Sequence, residues 1–154
     1  MTLSPQRLRR LMKHRERLER IQEMELAEAQ RLYFTRLTAL NESETQRDRY
    51  LDTPVPQSGR VHPVDLNAGA DYLRRVEREI GARAAAVTHS EADVAEERNE
   101  LLARRRDRKA IEALLDRRLE EERIAYNRAD IKRIDELAIN RWQPPAQSSP
   151  GGTA

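Results

Sequence analysis

The residues best equipped for chemistry in this sequence are three histidines and a run of acids, and their spacing suits neither metal binding nor catalysis. His14, His62 and His89 are too far apart for the i,i+4 pairing that sets two imidazoles on one helix face around a metal. Glu120-Glu121-Glu122 offers several carboxylates, but consecutive residues splay around a helix and read as a solvated face. Serines and threonines occur without a neighbouring base or an oxyanion loop. The absence of cysteine removes thiol chemistry, thiolate metal sites and disulfides, and fits a reducing cytoplasm. No G-x-x-x-x-G-K-S/T segment is present to cradle phosphates, so the chain is not itself a P-loop ATPase. The expectation is a protein that catalyses nothing and holds no cofactor and no metal.

What remains is surface, and the elements that carry it. Charged residues make up 36% of the 154, aromatics only 4%, with a single Phe and five glycines. Such a composition, rich in Ala, Glu, Leu and Arg, is that of long helices or a coiled coil. Hydrophobic residues at 38% can fill a seam between helices rather than a multi-layer core. Basic residues (29) nearly balance acidic ones (27), so bulk charge gives little reason to expect nucleic acid or anionic membrane. Met1 to Gln22 has no long apolar run, which predicts neither a signal peptide nor direct membrane insertion.

Two breaks divide the chain. Residues 53–63 contain Pro54, Pro56, Gly59 and Pro63, and the tail from Gln143 to Ala154 contains Pro144, Pro145, Pro150, Gly151 and Gly152. The first predicts a linker at about 52–64, the second a disordered tail at 143–154. Ser4-Pro5 supplies a cap followed by a proline in the first turn. The reading is all-α: a long antiparallel two-helix coiled-coil hairpin over 1–142, with helix one at about 4–51 and helix two at about 65–142. Leu66, Leu73, Ile80, Val87, Val94 and Leu101 recur every seven residues, and Leu115 resumes the row after Arg108. The companion row is poorer, running Val76, Arg83, Ser90, Glu97, Arg104 and Ile111, and predicts a loose seam. In helix one, Leu18, Ala29, Leu40 and Leu51 recur every eleven residues, with Leu26 and Leu37 between, a spacing that favours straighter packing.

With the turn centred near Ser58, Leu8 is expected beside Arg108, and helix two beyond about Ile111 is left without an intramolecular partner. The overhanging C-terminal helix then exposes one apolar stripe: Leu115, Leu119, Ile124, Ile131, Ile134 and Ala138. In the same register the basic cluster Arg7, Arg9, Arg10, Lys13, Arg15, Arg17 meets the cluster Arg104, Arg105, Arg106, Arg108, Lys109. This collar is either an uncompensated contact site for an acidic surface or a solvated face relieved by Glu16, Glu19, Asp107 and Glu112.

Two segments resemble the FliJ family of the flagellar type III export apparatus. They are residues 104–118, from Arg104-Arg105-Arg106 through Leu115-Asp116-Arg117-Arg118, and Asn127-Arg128-Ala129-Asp130-Ile131-Lys132-Arg133-Ile134-Asp135-Glu136-Leu137-Ala138. The resemblance covers about Asp93 to Arg141. It implies a small helical stalk that inserts into the export ATPase hexamer, links it to the cytoplasmic domain of the membrane export gate and escorts export chaperones. Such a protein is cytoplasmic and sits peripherally at the inner-membrane apparatus. On this chain the implied ATPase-binding residues are Arg7, Arg10, Arg105, Arg108, Lys109, Leu115, Ile124, Ile131, Ile134, Asp135 and Glu136. The implied gate-binding residues are Tyr72, Val76 and Ile80, with Leu37, Leu40 and Tyr50 on helix one. Val76 and Ile80 are equally well explained as seam residues, and Phe34 and Trp142 as either anchors or local packing.

Three alternatives stand beside this one: the equivalent stalk of a virulence type III secretion system, a purely structural oligomeric coiled coil, and a basic coiled coil that binds nucleic acid. Glu91, Asp93, Glu96, Glu97 and Glu100 beside the basic cluster oppose the last, so no nucleic-acid partner is expected.

Overall fold

The structure is a computed structural model that describes residues 4–54, 59 and 61–142. The expected turn centre at Ser58 and the tail from Gln143 onward lie outside the described residues. Two helices, α1 (Pro5–Leu51) and α2 (Pro63–Arg141), account for the fold, and no strand occurs among the described residues. At 1.5 Å per residue they are about 70 Å and about 120 Å long.

Both helices start at a proline. The Ser4 hydroxyl accepts from the Arg7 amide at 3.4 Å, capping α1. The His62 carbonyl accepts from the amides of Asp65 and Leu66, at 3.0 and 3.3 Å. Pro63 therefore sits inside the first turn, where its fixed φ suits the helix and its missing N–H is not needed. This places the start of α2 slightly before the expected Asp65.

The chain forms two compact units, Met12–Lys109 and a second made of Met1–Leu11 with Ala110–Ala154. Within Met12–Lys109 the helices run antiparallel, paired from Arg15 with Asp107 at one end to Tyr50 with Tyr72 at the other. The seam of α2 uses both predicted rows. Ile80 and Leu101 are buried from the aliphatic row, Val76 and Ser90 from the polar one, while Leu73, Arg83, Val87, Val94 and Glu97 are half-buried. Leu66 heads the aliphatic row but is exposed.

The seam of α1 also repeats every seven residues, not every eleven. Its most covered positions in this unit are Gln22 and Ser43, and Ala29 and Arg36 fall between them at the same period. Leu51, the last of the eleven-residue series, is exposed. A row carrying Gln, Arg and Ser does not show as a stripe in sequence, although it keeps α1 in step with α2.

Nor is the polar row left unsatisfied. Gln22 donates to the Glu97 carboxylate, Arg36 to Ser90, and Arg83 to Ser43, so the groups that made the seam look loose are bonded across it.

In the other unit, Leu8 (2% exposed), Ile111 and Leu115 are buried, and α2 is exposed almost continuously from Leu119. This corrects the expected register. Within Met12–Lys109, Arg108 donates to Glu19 at 2.7 Å, so the pairing there has moved by about one heptad. Leu8 is covered in its own unit, which contains Leu115.

Candidate functional site

Within Met12–Lys109 the basic segments do not meet as bare positive charge. Arg105 Nε donates to Glu19 (3.2 Å) and its Nη2 to Glu23 (3.0 Å). Arg108 binds the second oxygen of Glu19, and Arg15 reaches Asp107 at 3.0 Å. The hydrogen bonds from Arg105, first to Glu23 and then to Glu19, hold its guanidinium above the ordinary arginine range. Glu19 thus joins two arginines of α2 to α1, and of the two readings of the collar these bridges favour the face relieved by acids. Glu19 and Asp107 were expected to relieve the charge; Glu23 was not, because its role depends on the register. Arg7, Arg10 and Lys109 are exposed and make no ion pair among the described residues.

At the linker end of this unit, Tyr50 and Tyr72 stack with centroids 4.7 Å apart, and the Arg75 guanidinium lies 5.5 Å from the centre of the Tyr72 ring. The approach depends on Gly69: a Cβ there would come within 2.6 Å of the Tyr50 hydroxyl. The structure therefore brings together Tyr50 and Tyr72, two residues named for one surface. Val76 and Ile80 instead lie buried in the seam, where a partner reaches them only if the helices part. Leu37 and Leu40 are half-buried. Phe34 is exposed and packs edge-on against Tyr33 at 5.4 Å.

In the unit formed by Met1–Leu11 and Ala110–Ala154, Leu115 closes the covered stretch, and the residues after it expose two apolar faces rather than one stripe. At about 100° per residue, Leu119, Tyr126 and Leu137 lie within about 40° of Leu115. Ile124, Ile131 and Ala138 lie about 140–180° away, and Ile134 about 100° away. Ile124, Ile131 and Ile134 are 41%, 59% and 57% exposed; Tyr126, Leu137, Ile139 and Trp142 are exposed as well. Asp135 and Glu136 are exposed beside them. Tyr126, Leu137 and Ile139 lie outside the stripe through Ile124, Ile131 and Ile134 because their angles around the helix differ from it.

Among the described residues no group of His, Cys, Asp and Glu is placed to hold a metal ion, and no helix is long and apolar enough to cross a membrane. The groove lined by Glu16, Glu19, Arg20, Glu23 and Arg108, about 280 Å³, is open, and Glu19, Glu23 and Arg108 in its walls are already engaged in ion pairs. What this surface offers is helix faces for another macromolecule. In comparisons with known proteins, the family model described as flagellar FliJ protein matches residues 4–147. No curated protein and no solved structure matches the chain significantly.

Proposed function

The chain belongs to the FliJ family and is thereby a component of flagellar type III protein export, and from that premise we propose that it is a non-catalytic coiled-coil stalk for the export ATPase. In this reading the uncovered end of α2 enters the ATPase hexamer and regulates it. The same protein links the hexamer to the cytoplasmic domain of the export gate and escorts export chaperones. It works in the cytoplasm, held peripherally at the inner-membrane apparatus by these partners.

One observation carries the reading. Residues 119–142 carry apolar side chains on two nearly opposite faces, interleaved with charges such as Glu122 and Arg133, and are exposed in the isolated chain, which supports a partner that encloses the helix. A flat partner surface would cover Ile124 and Ile131 and leave Leu119 and Tyr126 in water. A ring or deep cleft covers both. Arg7, Arg10 and Lys109 remain available to acidic groups at its mouth. Arg105 and Arg108, already bridged to Glu19, contribute less than their sequence position suggests.

The match over nearly the whole chain favours the flagellar over the virulence apparatus. The nucleic-acid reading loses support because two of its central arginines are occupied by carboxylates.

Purified protein should raise the hydrolysis rate of the cognate export ATPase several-fold at saturating ATP. An unchanged rate, with ATPase of verified activity and ring assembly, overturns the stalk assignment. For the gate, Tyr72→Ala should weaken binding to the gate's cytoplasmic domain by about tenfold, the scale of losing one aromatic anchor. Titration by calorimetry checks this, and equal affinities would leave Tyr72 as the packing partner of Tyr50 alone.

A further inference from the structure

The two helices carry the same eight-residue pattern at the seam. It reads Arg36-x-x-Ala39-x-x-x-Ser43 in α1 and Arg83-x-x-Ala86-x-x-x-Ser90 in α2. The contacts are reciprocal. Arg36 Nη1 donates to Ser90 Oγ at 2.6 Å and to the Ala86 carbonyl at 3.3 Å. Arg83 Nη1 donates to Ser43 Oγ at 2.5 Å and to the Ala39 carbonyl at 2.6 Å. The two serines are 2% and 1% exposed, the most covered polar residues of the seam. Two identical clamps thus cross the interface, related by an approximate two-fold axis between the helices.

The aliphatic row by itself does not fix how far one helix is slid along the other; besides these clamps, the Gln22–Glu97 bond, the ion pairs of Arg15, Arg47 and Arg105, and the Tyr50–Tyr72 contact depend on the alignment. Leu73, Ile80, Val87, Val94 and Leu101 repeat every seven residues, so a slide of one heptad sets aliphatic groups where aliphatic groups stood. The linker is permissive as well. Residues 52 to 62, eleven in all, join Leu51 to Pro63, and eleven residues reach about 36 Å. Packed helix axes are about 10 Å apart, and a one-heptad slide moves a helix by about 10 Å.

The polar positions are not so tolerant. A slide towards a turn centred at Ser58 sets Arg36 against Arg83 and leaves Ser43 facing Val76 and Ser90 facing Ala29. A slide the other way brings Arg36 to Glu97 but takes that carboxylate from Gln22, moves Arg83 to Tyr50 and sets Ser43 against Ser90. Arg83 keeps its own-helix partner Glu79 in every alignment, but of these three only the observed one also gives both buried serine hydroxyls a guanidinium donor.

We propose that the Arg36–Ser90 and Arg83–Ser43 clamps are the register lock of the hairpin, choosing one alignment among those the aliphatic row permits. The lock is a property of the chain alone and does not depend on the partner proposed above. Within Met12–Lys109, each heptad of slide would move one helix along the other by about 10 Å.

The absence of cysteine makes the test direct. In the full chain, cysteines at Ala29 and Val94 report the observed alignment, since both lie one heptad from the clamp layers on their helices. Cysteines at Ala29 and Val87 report the alignment slid by seven. With the clamps intact, mild oxidation should join 29 to 94 in preference to 87 by more than about tenfold, the factor associated with one charged hydrogen bond. In the Arg36→Met, Arg83→Met double variant that preference should collapse, with the far-ultraviolet circular dichroism of a helical chain retained. Ser43→Ala with Ser90→Ala is the milder variant, and it decides the matter if the methionine chain does not fold. Retention of the full 29–94 preference in a folded variant of either kind overturns the proposal.

Discussion

With aspartate at positions 124, 131 and 134, the protein is expected to lose its hold on the export ATPase while its own helices stay intact. Ile124, Ile131 and Ile134 are already largely exposed in the isolated chain, so the substitutions remove no internal packing. The helix-propensity cost of each is under about 0.7 kcal/mol. In an enclosing partner the change is much larger. Covering one isoleucine is worth about 1.5–3 kcal/mol, so three lost together weaken binding on the order of a thousandfold or more, before the desolvation of three carboxylates is added. Stimulation of ATP hydrolysis and a binding titration measure the loss; circular dichroism confirms the helix. Undiminished stimulation would remove these residues from the contact.

The second large effect is on folding. Leu101→Ala should lower stability by about 2–4 kcal/mol, the usual result of emptying a covered leucine site. Leu101 is buried in the seam, whereas Leu102, its neighbour in sequence, is 45% exposed. Leu102→Ala is therefore the matched control, with an expected cost below about 1 kcal/mol. Thermal or urea unfolding distinguishes them. Equal losses at the two positions would mean that the seam does not run where Leu101 is placed.

The sequence made the helices legible because proline punctuates the chain at Pro5, Pro54, Pro56 and Pro63, and because the aliphatic row repeats every seven residues from Leu66 to Leu101. It concealed the alignment. A heptad pattern specifies which face of a helix is covered but is silent about slides of whole heptads, and the symmetric placement of the turn at Ser58 favoured the wrong one. Arg83 and Ser90 looked like flaws in the companion row. They became interpretable only when set against Arg36 and Ser43, forty and more residues distant.

The candidate surfaces divide in the same way. The apolar residues 124, 131 and 134 stood out because nothing in helix one could reach them. The engagement of Arg105 by Glu19 and Glu23 could not be read, because it depends on the alignment. Tyr50 and Tyr72 were both singled out by the family resemblance, as residues of one implied gate-binding surface. That Gly69 admits one ring beside the other follows from the backbone approach, and a lone glycine in a helical stretch gives no hint of its neighbour.

The uncovered end of α2 also bears on the upkeep of the protein in a cell. A helix with no companion frays readily, since its backbone hydrogen bonds are open to water and no packing opposes their loss. If the uncovered end is seated in a partner as proposed above, surplus copies offer the degradation machinery an unpacked apolar end that seated copies cover, and occupancy decides which molecules last.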